Sequence, residues 1–119
     1  MTTQEPSLNA SWAPSVCALP TVDRPLREQE FDELFATSVT GVDRASPLRV
    51  RMLLRPDPAV AALAAELAMR ESGCCSFFTF TLLVSGGELA LIAEVTEPYA
   101  AVLDALTDRA QALSPAGLG

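Results

Sequence analysis

Residues 77–95 read Phe77-Phe-Thr-Phe-Thr-Leu-Leu-Val-Ser-Gly-Gly-Glu-Leu-Ala-Leu-Ile-Ala-Glu-Val95, and their reading decides the fold. From Phe77 to Val84 the run is rich in aromatic and β-branched residues, which suit a pleated, half-buried strand. Ser85-Gly86-Gly87 supplies the turn. Leu89 to Val95 then alternates, placing Leu89, Leu91, Ala93 and Val95 inward. The stretch is a β-hairpin. Upstream, Asp57 followed by Pro58 starts a helix whose stripe is Val60, Leu63, Ala64 and Leu67. That helix is expected over 58–72, with Gly73 as a left-handed C-terminal cap. Before it, Leu48-Arg-Val-Arg-Met-Leu-Leu sets Leu48, Val50, Met52 and Leu54 against Arg49 and Arg51, a strand with one wet or partner-facing side. Val39 and Val42 suggest a lesser strand in a hairpin with it.

Asp23 is a candidate N-cap, Pro25 suits a first turn, and Leu26, Phe31, Leu34 and Phe35 fall near helical spacing, so a first helix is expected at about 25–37. Downstream, Thr96 caps a last helix with Pro98 in its first turn and Tyr99, Val102, Leu103, Leu106 and Ala110 on one face. The chain therefore reads as an α+β fold. An N-terminal helix precedes a β-α-β-β-α core, an antiparallel-rich sheet with helices packed on it, like a ferredoxin-type half. The polar, proline-broken residues 1–15 are expected to form a poorly ordered arm, and 16–119 a single domain. The far sheet face would carry Arg49, Arg51, Leu53, Thr79, Thr81, Ala90 and Ile92. A face so mixed calls for cover, by the first helix or by a second subunit in a homodimer.

Half of the 119 residues are hydrophobic, enough for a continuous core without metal or disulfide support. The net charge of −7 opposes phosphate backbones, and the arginines form no dense run, so nucleic acid is not an expected partner. The chain contains no Lys and no His, which excludes Schiff-base chemistry, cysteine–histidine couples, serine–histidine triads and imidazole metal ligands. The N-terminus has no signal-peptide pattern and no stretch reaches about 18 uninterrupted apolar residues, so a cytoplasmic protein without a membrane span is expected.

In a reducing compartment, three cysteines read as free thiols or metal ligands. Cys74 and Cys75 fall where the second helix stops and the aromatic strand begins, a loop from which two sulfurs can share one space; in a regular strand they would diverge. Cys17 precedes the first helix and completes a three-sulfur set if the chain lays it beside the pair. Thiolates select soft ions, here mercury(II), copper(I) or a thiophilic metalloid, as substrate or ligand. The plainer alternative is that the cysteines fill core space as small hydrophobes. A helix C-terminus also disfavours thiolate, an effect that Arg70 or a bound metal would offset. Glu71, three residues before Cys74, is a carboxylate acid or ligand candidate, although a solvated last-turn Glu is the default. Phe77, Phe78 and Phe80 are expected in packing, with an apolar wall around the thiols as the alternative. Met52 and Met69 are expected to fill the core.

Cys17-Ala18-Leu19-Pro20-Thr21 and the later Cys74-Cys75-Ser76-Phe77-Phe78 resemble the cysteine landmarks of the organomercurial lyases. In that family a Cys-Ala-Leu-Asp-Thr stretch and a Phe-rich Cys-Cys segment supply mercury-gripping thiols, and the Asp supplies acid for cleaving the carbon–mercury bond. The resemblance implies that Cys17 and Cys74 are the working thiols and Cys75 the neighbouring one. Pro20 stands at the Asp position, and proline neither donates a proton nor binds metal through its side chain. An acid would then have to come from Asp23 or Glu71. The sequence thus predicts a soft-metal thiolate protein for mercury(II) or an organometallic small molecule, with carbon–mercury protonolysis as an added activity. Copper(I) or metalloid handling without catalysis, and a thiol redox or regulatory switch, are the rival readings.

Overall fold

A computed structural model of the chain describes residues 24–74 and 76–114. Its elements are α1 (Arg24–Ser38), β1 (Val39–Ser46), β2 (Arg49–Leu54), α2 (Pro58–Cys74), β3 (Thr79–Ser85), β4 (Glu88–Glu94), a short 3₁₀ turn (Glu97–Tyr99) and α3 (Ala100–Leu113). The expected α+β order is present, and the lesser strand is a full eight-residue β1. The arm at 1–15 and the Asp23 cap lie outside the described residues.

The sheet has the order β1-β2-β4-β3 with every pair antiparallel. Strands β2 and β3 therefore run parallel, with β4 between them, and α2 makes the crossover. The β3–β4 turn is tight because Gly86 and Gly87 both take positive φ, 58° and 80°, the combination a two-residue hairpin loop requires. Asp57 caps α2 as expected: its carboxylate accepts from the Ala59 N–H at 2.8 Å, and its carbonyl takes the first helical bond, from Ala61. Thr96 makes no side-chain cap; the last helix is entered through the 3₁₀ turn instead.

One sheet face is apolar by register. Val50, Met52 and Leu54 on β2 stand opposite Ala93, Leu91 and Leu89 on β4, and all six are buried. Phe31, Leu34 and Phe35 of α1, Val60, Ala64 and Leu67 of α2, and Leu103, Leu106 and Ala110 of α3 join them in one core. Each buried leucine or phenylalanine contributes about 1.5–3 kcal/mol by leaving water. All three helices lie on this face, so α1 does not cover the other one. It packs between α2 and α3 because its own stripe is large and aromatic. On the opposite face, Ile92 is flanked by Arg51 and Thr81, and Ala90 by Leu53 and Leu83. Met69, expected in the core, is 73% exposed on α2, whereas Met52 is buried as expected.

The two ends of the sheet matter for the site. Arg49, Glu94 and Thr79 form the row at one end, and Val39, Leu54 and Leu89 mark the other. Chain direction then gathers the end of α2, the start of β3, the end of β4 and the 3₁₀ turn at the first end. Helix α1 feeds β1 at the second end. Its fifteen residues span about 22 Å, which carries its start back to the first. No helix among the described residues is long and apolar enough to cross a membrane.

Candidate thiolate site at one end of the sheet

Helix α2 does not stop at Gly73. It continues through Gly73 to Cys74, and Gly73 is not among the glycines with positive φ. The expected left-handed cap is absent at that position, and Cys74 is the last helical residue rather than a loop residue. One consequence concerns its neighbours. Along the helix backbone, Arg70 and Glu71 stand four and three positions before Cys74, about one turn back.

Glu71 is only 2% exposed, against the expectation of a solvated last-turn residue. The reason is its place on the helix: 60, 64, 67 and 71 form one continuous stripe, and the first three are buried core positions. The burial was legible in that spacing, which overrides the general preference of glutamate for water. A carboxylate so deep requires polar partners, and Glu71 has them.

Arg70 is committed elsewhere. Its guanidinium pairs with Glu30 of α1 at 3.3 Å and with Glu66 one turn back at 3.2 Å. Two carboxylates already draw on its charge, which weakens it as a means of favouring a thiolate at the helix end. Strand topology sets the sense in which α1 and α2 lie together: α1 runs toward the start of β1 at the second end and α2 toward the start of β3 at the first, so the start of α1 and the end of α2 share one end of the sheet. The Arg70–Glu30 pair joins the two helices near the middle of α1, six residues after Arg24 and four before Cys74.

Aromatic rings fill the space just beyond α2. Phe77 stacks on Tyr99 of the 3₁₀ turn with centroids 4.1 Å apart and planes 7° from parallel. Phe77 also meets Phe78 at 4.9 Å, and Phe78 meets Phe80 at 5.0 Å. From Phe80 the chain of rings continues to Phe31 of α1 at 6.4 Å. The packing role expected of Phe77, Phe78 and Phe80 is therefore present. The participation of Tyr99 was not foreseen, since its helical spacing spoke only for the face of the last helix.

Cys17, Cys75 and Asp23 lie outside the described residues, and of Cys74 the backbone alone is described. Among the described residues no group of three or more Cys, Asp or Glu side chains is arranged to hold a metal ion. What the fold supplies is a shared location: the end of α2 with Cys74, a buried carboxylate one turn back, an aromatic layer, and the start of α1. Cys17 precedes Arg24 by seven residues, an extended reach of about 23–25 Å. Comparison with protein-family models, curated proteins and solved structures gave no match to this chain.

Proposed function

We propose that this chain is a soft-metal protein that takes mercury(II) or an organomercurial onto the thiolates of Cys17, Cys74 and Cys75. The observation that carries the reading is the convergence of the α1 start and the α2 end, tied by the Arg70–Glu30 pair. The reading needs the seven residues from Cys17 to Asp23 to lead back toward that end of the sheet, a span their extended length allows. The resemblance of the two cysteine stretches to organomercurial lyases supports the same assignment. So does the chemistry: no imidazole competes, and thiolate is the ligand that discriminates for soft ions. Metal binding displaces the thiol protons, so the unfavourable placement at a helix C-terminus is overcome by the ion itself.

Cleavage of an organomercurial is the added step. Thiolates hold the mercury, a proton adds to the carbon, and the carbon–mercury bonding pair becomes the new carbon–hydrogen bond. The hydrocarbon leaves and mercury(II) remains on sulfur. With proline at position 20, the proton donor falls to Glu71, buried one turn from Cys74, or to Asp23.

Titration of the full chain with mercury(II) against a competing thiol tests the reading, run beside thermal melts. One ion per chain is expected, with binding abolished in Cys17→Ser and in Cys74→Ser and weakened less in Cys75→Ser, while the melts change little. Serine is close to cysteine in size but replaces a soft ligand with a hard one. Were the cysteines core hydrophobes, serine would cost about 1–3 kcal/mol of stability and leave mercury binding untouched. Tight binding of copper(I) in preference to mercury(II) would favour metal handling without catalysis. Ready disulfide formation with weak metal retention would favour a redox switch.

A further inference from the structure

Among the described residues, the large hydrophobic side chains that remain exposed are Leu63, Met69, Leu83 and Val84, and all belong to α2 and β3. That concentration lies along one border of the molecule, because β3 is an edge strand. The opposite edge, β1, carries the usual protections against pairing. It holds Asp43 and Arg44, and its register is broken between Val39 and Gly41 and again between Asp43 and Ser46. Strand β3 has none of these. Its sequence, Thr79-Phe-Thr-Leu-Leu-Val-Ser85, contains no charge and no proline, and it pairs with β4 in unbroken register along its whole length. Its outer edge is therefore a regular row of backbone donors and acceptors. Beside it, an apolar groove of about 240 Å³ opens between α2 and β3, lined by Ala65, Ala68, Met69, Ser72, Phe80 and Leu82.

We propose that a second copy of this chain occupies this edge. The two β3 strands pair antiparallel about a twofold axis near Leu82, joining two four-stranded sheets into one of eight. Three features select a second copy as the occupant. A twofold at Leu82 sets Phe80 opposite Val84 on the helix-bearing face and Thr81 opposite Leu83 on the other, so like environments meet. The strand is neutral in a chain of net charge −7, so two copies approach there without like charges meeting across the strands. The same axis brings the two α2 helices toward the seam, where the exposed Met69 that lines each groove faces the other copy.

Sedimentation equilibrium of the full chain under reducing conditions tests the assignment. The expected mass is twice 12.6 kDa. Met69→Glu on the exposed side of α2 and Thr81→Lys on β3 should each raise the dimer dissociation constant by about tenfold or more, with circular dichroism unchanged. Arg51→Glu, on the open sheet face, should leave it as it was. If Thr81→Lys disturbs folding, Met69→Glu still decides, since that side chain is solvent-exposed. A wild-type monomer at about 100 μM overturns the proposal. So does a dimer that responds to Arg51→Glu but not to Met69→Glu, which would place the contact on the sheet face, and so does open-ended assembly.

Discussion

Glu71 is a buried carboxylate on the core stripe of α2 and a proposed proton donor. A carboxylate at 2% exposure costs free energy unless its partners are in place, so its removal should be felt in stability as well as in function. Glu71→Ala is expected to destabilise the fold by about 1–3 kcal/mol in urea denaturation, whereas an ordinary surface glutamate would change it by less than about 0.5 kcal/mol. Glu71→Gln, which keeps the shape and part of the hydrogen bonding, should cost less. If Glu71 is the proton donor, that variant keeps mercury(II) binding and loses carbon–mercury cleavage; cleavage at the wild-type rate would assign the proton to another group. The cysteines stand out in the sequence by residue type alone, and Cys17 and Cys75 lie outside the described residues. The depth of Glu71 was legible only through the 60-64-67-71 stripe, and the general preference of glutamate for water hid it.

Among the elements, the long and strongly periodic ones were the easiest to read. The β3–β4 hairpin followed from two β-rich runs around Gly86-Gly87, and α2 from Asp57-Pro58 and its apolar stripe. Strand β1 was harder. Gly41 and two register shifts interrupt its alternation, so only Val39 and Val42 stood out in the sequence. The end of α2 was misplaced because glycine near a helix end usually adopts the left-handed conformation, and nothing local demands it here. A Cβ built on Gly73 would meet no atom within 4 Å. Gly73→Ala should therefore stabilise the protein by about 0.5–1 kcal/mol, by removing the entropic cost of a glycine in helical conformation. A loss of stability in chemical denaturation would mean that Gly73 has to leave the helix, and that Cys74 belongs to the loop after all.

For the whole molecule, the decisive feature is the side of the sheet that α1 takes. Periodicity shows that a helix has an apolar face but not which layer receives it, and both sides of the sheet offered apolar positions. Packing of Phe31, Leu34 and Phe35 into the common core puts α1 beside α2, with the Arg109–Asp32 pair at 2.7 Å holding it to α3 as well. This placement sets the start of α1 and the end of α2 at the same end of the sheet, and the proposed site requires Cys17 to join them there. X-ray absorption at the mercury edge, on the full chain loaded with one equivalent of mercury(II), measures the consequence directly. The account predicts an all-sulfur first shell that changes in Cys17→Ser and in Cys74→Ser alike. A shell completed by oxygen or nitrogen, or one identical in wild type and Cys17→Ser, would contradict it.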